Sequence, residues 1–412
     1  MSYRPNNTKN LESRKAIKAT SRVFLWAFFL ACTIFWWLPS FFYRILLNVK
    51  DPVDNKILTI SLFAWLAFLV GFWLMRPRAK KISTKLNYQL TAVAWFSQKA
   101  TLALTAPSIA LAIAFFFYRA NVDYGAGEGI SGLYQATLYA HLFFGFLYLG
   151  TVSEKERFSN ILIIVLLLVI PRLIISLSWG RFFLGQALIP IVLILISRGW
   201  IKLNIRHAWL LVLICLFIIF VPSIVRGDFI QNKNDMYRFF VNGSTLRLFQ
   251  DNLNLNLSQR CSPLFISLTA KIIPYSQLHV CTIDIWGMKG LPATLDRLLA
   301  FDEIGYSDAL VGPGSNYILE LYLVGGIAAI ISGSILLGLS CKWFVCSLMT
   351  RSAYVGIWAE CLTRALFSPR SNFGYIFERI PSLLLTTAIV TYIATVLYSK
   401  ITRRQKNRNK MI

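Results

Sequence analysis

GPGSNYILELYLVGGIAAIISGSILLGLS, residues 312–340, opens on a tight glycine–proline turn and then runs apolar, with Glu320 the one charge between Tyr317 and Ser340. At 1.5 Å of rise per residue, such a run is long enough as a helix to cross a hydrocarbon core of about 30 Å. Lipid offers backbone amides no partner, so the run is read as helical. The same pattern recurs along the chain and predicts helices near 23–43, 57–75, 95–118, 131–151, 159–178, 182–197, 207–225, 316–340, 344–366 and 381–398. The chain is 56% hydrophobic with a mean hydropathy of +0.59, against about 45–50% apolar for a soluble globular protein. No alternating ten-residue pattern points to a membrane barrel. The expected fold is all-α: a polytopic transmembrane bundle of about ten helices with one large, partly helical outer loop. Residues 1–225 carry about seven helices, 226–315 form the loop, and 316–412 carry about three more with a basic tail.

The net charge of +24 would suggest nucleic acid in a soluble domain. Here the basic residues sit between apolar runs, where they act as topology signals, and no nucleic-acid partner is expected. With the N-terminus inside, the short inner segments hold 23 Lys and Arg in 67 residues, and the opposite side holds 16 in 139. That bias places both termini in the cytoplasm. The first apolar run follows a long polar leader without a small-residue cleavage site, so it reads as an uncleaved helix. The ninth segment carries Arg351, Glu360 and Arg364. Charge at mid-bilayer costs about 2.5–3.5 kcal/mol on insertion scales, so that segment lies partly at the interface or packs deep inside the bundle.

The outer loop balances eight Lys/Arg against eight Asp/Glu. Its aromatic and apolar patches, DMYRFFVNGSTLRLF, CSPLFISLTAKIIPY and CTIDIWGMKGLPATLDRLLAF, read as short amphipathic helices at the membrane surface. Cys261 and Cys281 share this loop, and an oxidising compartment would permit a disulfide. Arg172 and Arg181 flank the hairpin PRLIISLSWGR, and Arg226 starts the loop. Guanidinium forks match phosphate oxygens bidentately, so these three are candidates for holding a lipid-linked phosphate. Glu320, an acid near the start of an apolar helix, needs a partner and is a candidate functional group; one of the outer arginines is the expected partner. Arg247, Arg370, His279 and Tyr322 are candidate substrate contacts. No metal-ligand spacing, nucleotide loop or dinucleotide fingerprint is present, so no cofactor or metal is expected.

The stretch from KIIPY through GPGSNYILELYLVGG resembles the O-antigen polymerase (Wzy) family, the oligosaccharide repeat-unit polymerases. IIPYSQL leads toward a second proline, Pro292; GPGSN precedes ELYLVGG; and LFSPRSNFGYIF follows with Arg370. The specific likeness covers about 110 residues, and the rest matches in architecture. The resemblance implies a bacterial inner-membrane glycosyltransferase of surface-polysaccharide (lipopolysaccharide) biosynthesis, working on the periplasmic face. Its donor and acceptor would be undecaprenyl-diphosphate-linked oligosaccharides, and a chain-length regulator protein would be a further partner. Arg172, Arg181 and Arg226 would then bind the diphosphate, and Glu320 would orient or deprotonate the acceptor hydroxyl or position an arginine. The related O-antigen ligases carry a histidine where this chain has Ser315, a departure that favours polymerase. The alternatives are a flippase of lipid-linked oligosaccharide, for which Arg351, Glu360 and Arg364 are the supporting residues, and a non-catalytic member of an assembly complex.

Overall fold

The computed structural model describes residues 6–41, 54–75, 84–120, 128–153, 156–178, 181–201, 282–285, 288–292, 316–370, 373–377 and 379–408, together with Leu246 and Phe249. The described part is mainly helical. The helices are α1 (Asn6–Cys32), α2 (Asn55–Leu74), α3 (Thr84–Ala120), α4 (Glu128–Thr151), α5 (Phe158–Ser178), α6 (Arg181–Ser197), α7 (Tyr317–Leu348), α8 (Val355–Phe367), the short α9 (Gly374–Phe377) and α10 (Ile380–Arg408). Among the described residues, six stretches are long and apolar enough to cross a membrane: Ala16–Phe41, Asn55–Leu74, Asn87–Phe117, Phe158–Leu177, Tyr317–Leu348 and Ile380–Gln405. Two shorter apolar helices, Ala136–Thr151 and Phe183–Ser197, pack among them. The chain is thus a multi-pass membrane protein by the length and composition of its helices. The expected helix at 207–225 lies outside the described residues.

The outward faces are lined by Phe63, Trp73, Ile163, Leu336, Leu385 and Tyr392, all exposed, as a helix surrounded by lipid requires. The inward faces meet in one core that joins α1, α2, α4, α5, α6, α7 and α8. Lys56, Thr59, Ile60 and Phe63 sit beside Ile327, Ile330 and Ile331, and further along α2 approaches Ile335 and Gly338. The two helices therefore run in the same direction. Their crossing is backbone to backbone: a Cβ on Gly71 would lie 2.1 Å from the Ile335 carbonyl oxygen, and one on Gly338 the same distance from that of Phe68. Small residues at such a crossing are the usual means of close helix approach in lipid.

The apolar run that opens at Tyr317 is not one straight helix. Gly325 and Gly326 have non-helical backbone angles, and Gly326 takes φ 63 and ψ −150, a region only glycine enters readily. The Tyr317 hydroxyl lies 3.5 Å from Ser334 Oγ, and Leu321 fills the space beside Gly333. In a straight helix, seventeen residues span about 25 Å. The short arm Tyr317–Val324 is therefore folded back against the long arm that follows Gly326. Asn316 starts the short arm, its side chain accepting the Ile318 N–H at 3.0 Å, a normal N-cap.

Three other expectations change. The segment 344–366 is not a single span: α7 continues to Leu348, a turn follows, and α8 is a 13-residue helix, about 20 Å long. Val355, Ala359, Cys361, Leu362 and Ala365 of α8 are buried, so it packs deep inside the bundle. Lys342, expected in an inner loop, is a buried residue of α7 whose Nζ donates to Ser21 Oγ at 2.8 Å and lies 5.0 Å from the centre of the Phe72 ring. Arg351 does not sit at mid-helix. It donates to the Thr151 carbonyl and to Asn87 Oδ1, while Arg198 donates to the Val152 carbonyl at 2.7 Å. Two cations thus cap the C-terminus of α4, where the helix dipole is negative.

In the large loop, Thr282–Ile285 and Met288–Pro292 form an antiparallel hairpin, with Ile283 opposite Leu291. This corrects the amphipathic-helix reading there: Thr-Ile-Asp-Ile alternates β-branched residues with period two, a strand pattern. Leu246 and Phe249, three residues apart and both helical and buried, do follow it.

Gly326→Ala should destabilise the protein by about 1–3 kcal/mol through its backbone conformation. The check is thermal unfolding in detergent. Gly326→Ala should melt lower than the wild type and lower than Ser332→Ala, a control substitution at an exposed position of the long arm.

Candidate functional site

Arg172 lies on α5 directly after Pro171, which lacks an amide hydrogen and removes one rung from the helix. Its side chain is 1% exposed. The guanidinium sits 5.3 Å from the centre of the Tyr139 ring on α4 and 6.0 Å from that of Phe183 on α6. A second guanidinium, that of Arg379 just before α10, sits 4.4 Å from the centre of the same Tyr139 ring. The electron-rich face of an aromatic ring attracts a cation, and here one tyrosine gathers two. Nothing in the sequence singled out Arg379.

Tyr139 and Arg379 also line a cavity of about 390 Å³ between α4, α6, α8 and α10. Such a volume is within the range of small-ligand sites. Phe143, Phe146, Leu147, Ile357 and Leu383 form apolar walls; Gln186, Glu360, Arg364 and Thr387 are polar points among them. Arg364 donates to Glu360 Oε1 from Nε at 3.1 Å, and its Nη2 lies 3.0 Å from the same oxygen as an ion pair. The Arg364 side chain is 3% exposed and that of Glu360 23%. Gln186 Oε1 and Thr387 Oγ1 are buried without a hydrogen-bond partner among the described residues.

Glu320 is fully buried on the short arm of α7. Its Oε2 accepts the Phe373 N–H at 2.5 Å and the Gly374 N–H at 3.3 Å. These are backbone donors at the start of α9. Nearby, Trp36 Nε1 donates to the Pro369 carbonyl at 2.9 Å, and its ring lies 5.6 Å from that of Tyr317. Trp36 belongs to a π-helical turn, Thr33–Trp37, at the end of α1. Wide turns of this kind re-aim a side chain within a helix. The chain from Pro369 to Gly374 is thus fixed at two points, a few residues ahead of Arg379, and Glu320 acts there as a positioning residue.

Of the other sequence candidates, Tyr322 is half-buried and meets the Phe249 ring edge-on at 5.4 Å, which ties Phe249 to the short arm. Arg181 opens α6 and Arg370 ends the turn Ser368–Arg370; their side chains lie outside the described residues. So do Arg226, Arg247, His279, Cys261 and Cys281 entirely. His141 is buried with Nε2 3.1 Å from Thr105 Oγ1, a contact within the helix packing of α3 and α4.

Glu320→Gln keeps an oxygen that can accept both amides, and should retain the wild-type fold. Glu320→Ala leaves buried amides unsatisfied and should cost roughly 2–4 kcal/mol in stability. Thermal unfolding of the two purified variants separates them; equal melting temperatures would remove the positioning role.

No protein-family model, curated protein or solved structure matches this chain, so the function of the cavity is read from the chain's own residues.

Proposed function

We propose that this protein is a membrane-embedded glycosyltransferase that polymerises undecaprenyl-diphosphate-linked oligosaccharide units at the periplasmic face of the bacterial inner membrane, with both termini cytoplasmic. The observation that carries the proposal is the pair of guanidinium groups, Arg172 and Arg379, set against the ring of Tyr139, with Tyr139 and Arg379 lining the cavity. A lipid diphosphate is the anion that a membrane-embedded cation pair suits, because guanidinium matches phosphate oxygens and is weakly hydrated. The resemblance of GPGSN–ELYLVGG and LFSPRSNFGYIF to the polymerase family supports the same substrate class.

In this reading the growing chain leaves its carrier as a glycosyl group and joins a sugar hydroxyl of the next unit. Negative charge builds on the departing diphosphate. Arg172 and Arg379 stabilise that charge, with Arg181 and Arg226 as further candidates, and this is the electrostatic contribution that lowers the barrier most in such transfers. Glu320 holds the turn that leads to Arg379. Arg247, Arg370, His279 and Tyr322 remain candidates for contact with the sugar or the phosphate.

A flippase of lipid-linked oligosaccharide is the second reading, and the Glu360–Arg364 pair facing the cavity is the observation that favours it. Purified protein in vesicles, supplied with undecaprenyl-diphosphate repeat units, separates the two: longer lipid-linked chains mean polymerase, and unchanged units moved across the bilayer mean flippase. Transfer onto a lipid A core means ligase. Arg172→Ala and Arg379→Ala should each slow polymer formation by about 100-fold or more while the protein still inserts. Full-length polymer at the wild-type rate from both variants refutes the assignment.

A further inference from the structure

We propose that Glu360 is the proton acceptor for the attacking hydroxyl, an inference that rests on the glycosyl-transfer reading above. Three observations converge on it. First, Glu360 is the one carboxylate among the described residues that lines the cavity shared with Arg379 and Tyr139. Glu320, the acid singled out by the sequence, is fully buried with Oε2 on two backbone amides. Second, the Arg364 hydrogen bond and the ion pair both go to Oε1 of Glu360. Oε2 takes no hydrogen bond from the described residues, and the side chain is 23% exposed. Arg364 therefore fixes the carboxylate and leaves one oxygen to a ligand. Third, Thr387 Oγ1 and Gln186 Oε1 are buried in the same cavity wall without a partner among the described residues. Buried polar atoms are normally satisfied, and a hydroxyl-rich ligand satisfies these, whereas a hydrocarbon chain does not.

Such a ligand has an anionic end for Arg379 and hydroxyl donors for Glu360, Gln186 and Thr387, as a sugar on a diphosphate does. Confinement in one cavity of about 390 Å³ brings the two reacting groups together, and that proximity itself accelerates transfer. The step balances as follows. The acceptor oxygen forms a bond to the anomeric carbon of the donor, and the bond from that carbon to the phosphate oxygen breaks. Its electron pair leaves with the lipid diphosphate. The hydroxyl proton passes to Oε2 of Glu360 and is later released to water. Arg364 is a positioning residue in this step.

The test uses the full chain in vesicles with undecaprenyl-diphosphate repeat units and compares wild type, Glu360→Gln and Glu360→Ala. Glu360→Gln should lower the polymerisation rate by about 100-fold or more. Undecaprenyl diphosphate alone should raise the melting temperature of this variant as it does that of the wild type. Formate, a carboxylate small enough for the truncated site, should restore activity to Glu360→Ala. The inference is overturned if Glu360→Gln polymerises within about threefold of the wild type. It is also overturned if that variant loses the diphosphate-induced shift, since the residue then supports the fold, or if formate fails to restore Glu360→Ala. A wild-type protein that makes no polymer overturns the polymerase reading itself, which distinguishes the two failures.

Discussion

The bond from the Glu320 carboxylate to the amides of Phe373 and Gly374 holds together parts of the chain that lie far apart in sequence. Within a membrane every backbone polar group must find an internal partner. A helix that breaks and folds back, as α7 does at Gly325–Gly326, exposes chain ends that would otherwise face hydrocarbon. A short helix such as α9 has the same need, because its first amides have no partner within it. Glu320 meets the second need from the arm created by the first. Trp36 adds a bond to the Pro369 carbonyl, so α1, the short arm and the turn before α10 are locked together. Arg379 emerges from that turn onto Tyr139.

Several charges inside the bundle are met by groups of opposite polarity close at hand. Lys342 has Ser21 and the Phe72 ring, Arg198 and Arg351 have the last carbonyls of α4, and Arg364 has Glu360. Arg172 and Arg379 both also face one ring, that of Tyr139. The cation–π attraction of a tyrosine is worth only about 0.5–2 kcal/mol per cation. Of these groups, Tyr139 and Arg379 line the cavity.

The spans were legible because the physics that forms them is local: an apolar run of sufficient length in lipid has no other stable form. Arg172, beside the hairpin, was likewise singled out as a candidate. The fold-back of α7 was not, because a glycine pair in an apolar run fits a helix interior as well as a hinge, and only the Tyr317–Ser334 and Leu321–Gly333 contacts decide between them. The end of α7 was misplaced for a related reason. Lys342 reads as a loop residue until Ser21 and Phe72 are seen to receive it. Arg379 and Glu360 were passed over as site residues because their meaning comes from Tyr139 on α4 and from the cavity, and sequence separation hides both. The hairpin at Thr282–Pro292 had its signal in the β-branched alternation, which the neighbouring apolar patches obscured.

Chemistry and transport differ in what they ask of this architecture. A carrier moves its substrate by shifting one packed body against another, which needs an interface with two stable arrangements. The crossing of α2 and α7 is a contact of backbones, with no side chain at Gly71 or Gly338 to repack. That geometry favours a fixed frame. A carrier also needs polar groups along the whole path, yet at the far end of α4 the arginines are taken up by the Thr151 and Val152 carbonyls. The polar groups gathered where a ligand can meet them are those of the cavity: Arg379 beside Tyr139, the carboxylate of Glu360, and the oxygens of Gln186 and Thr387. On the reading proposed above, a fixed frame with the diphosphate and the proton acceptor at one cavity suits a group transfer better than a translocation.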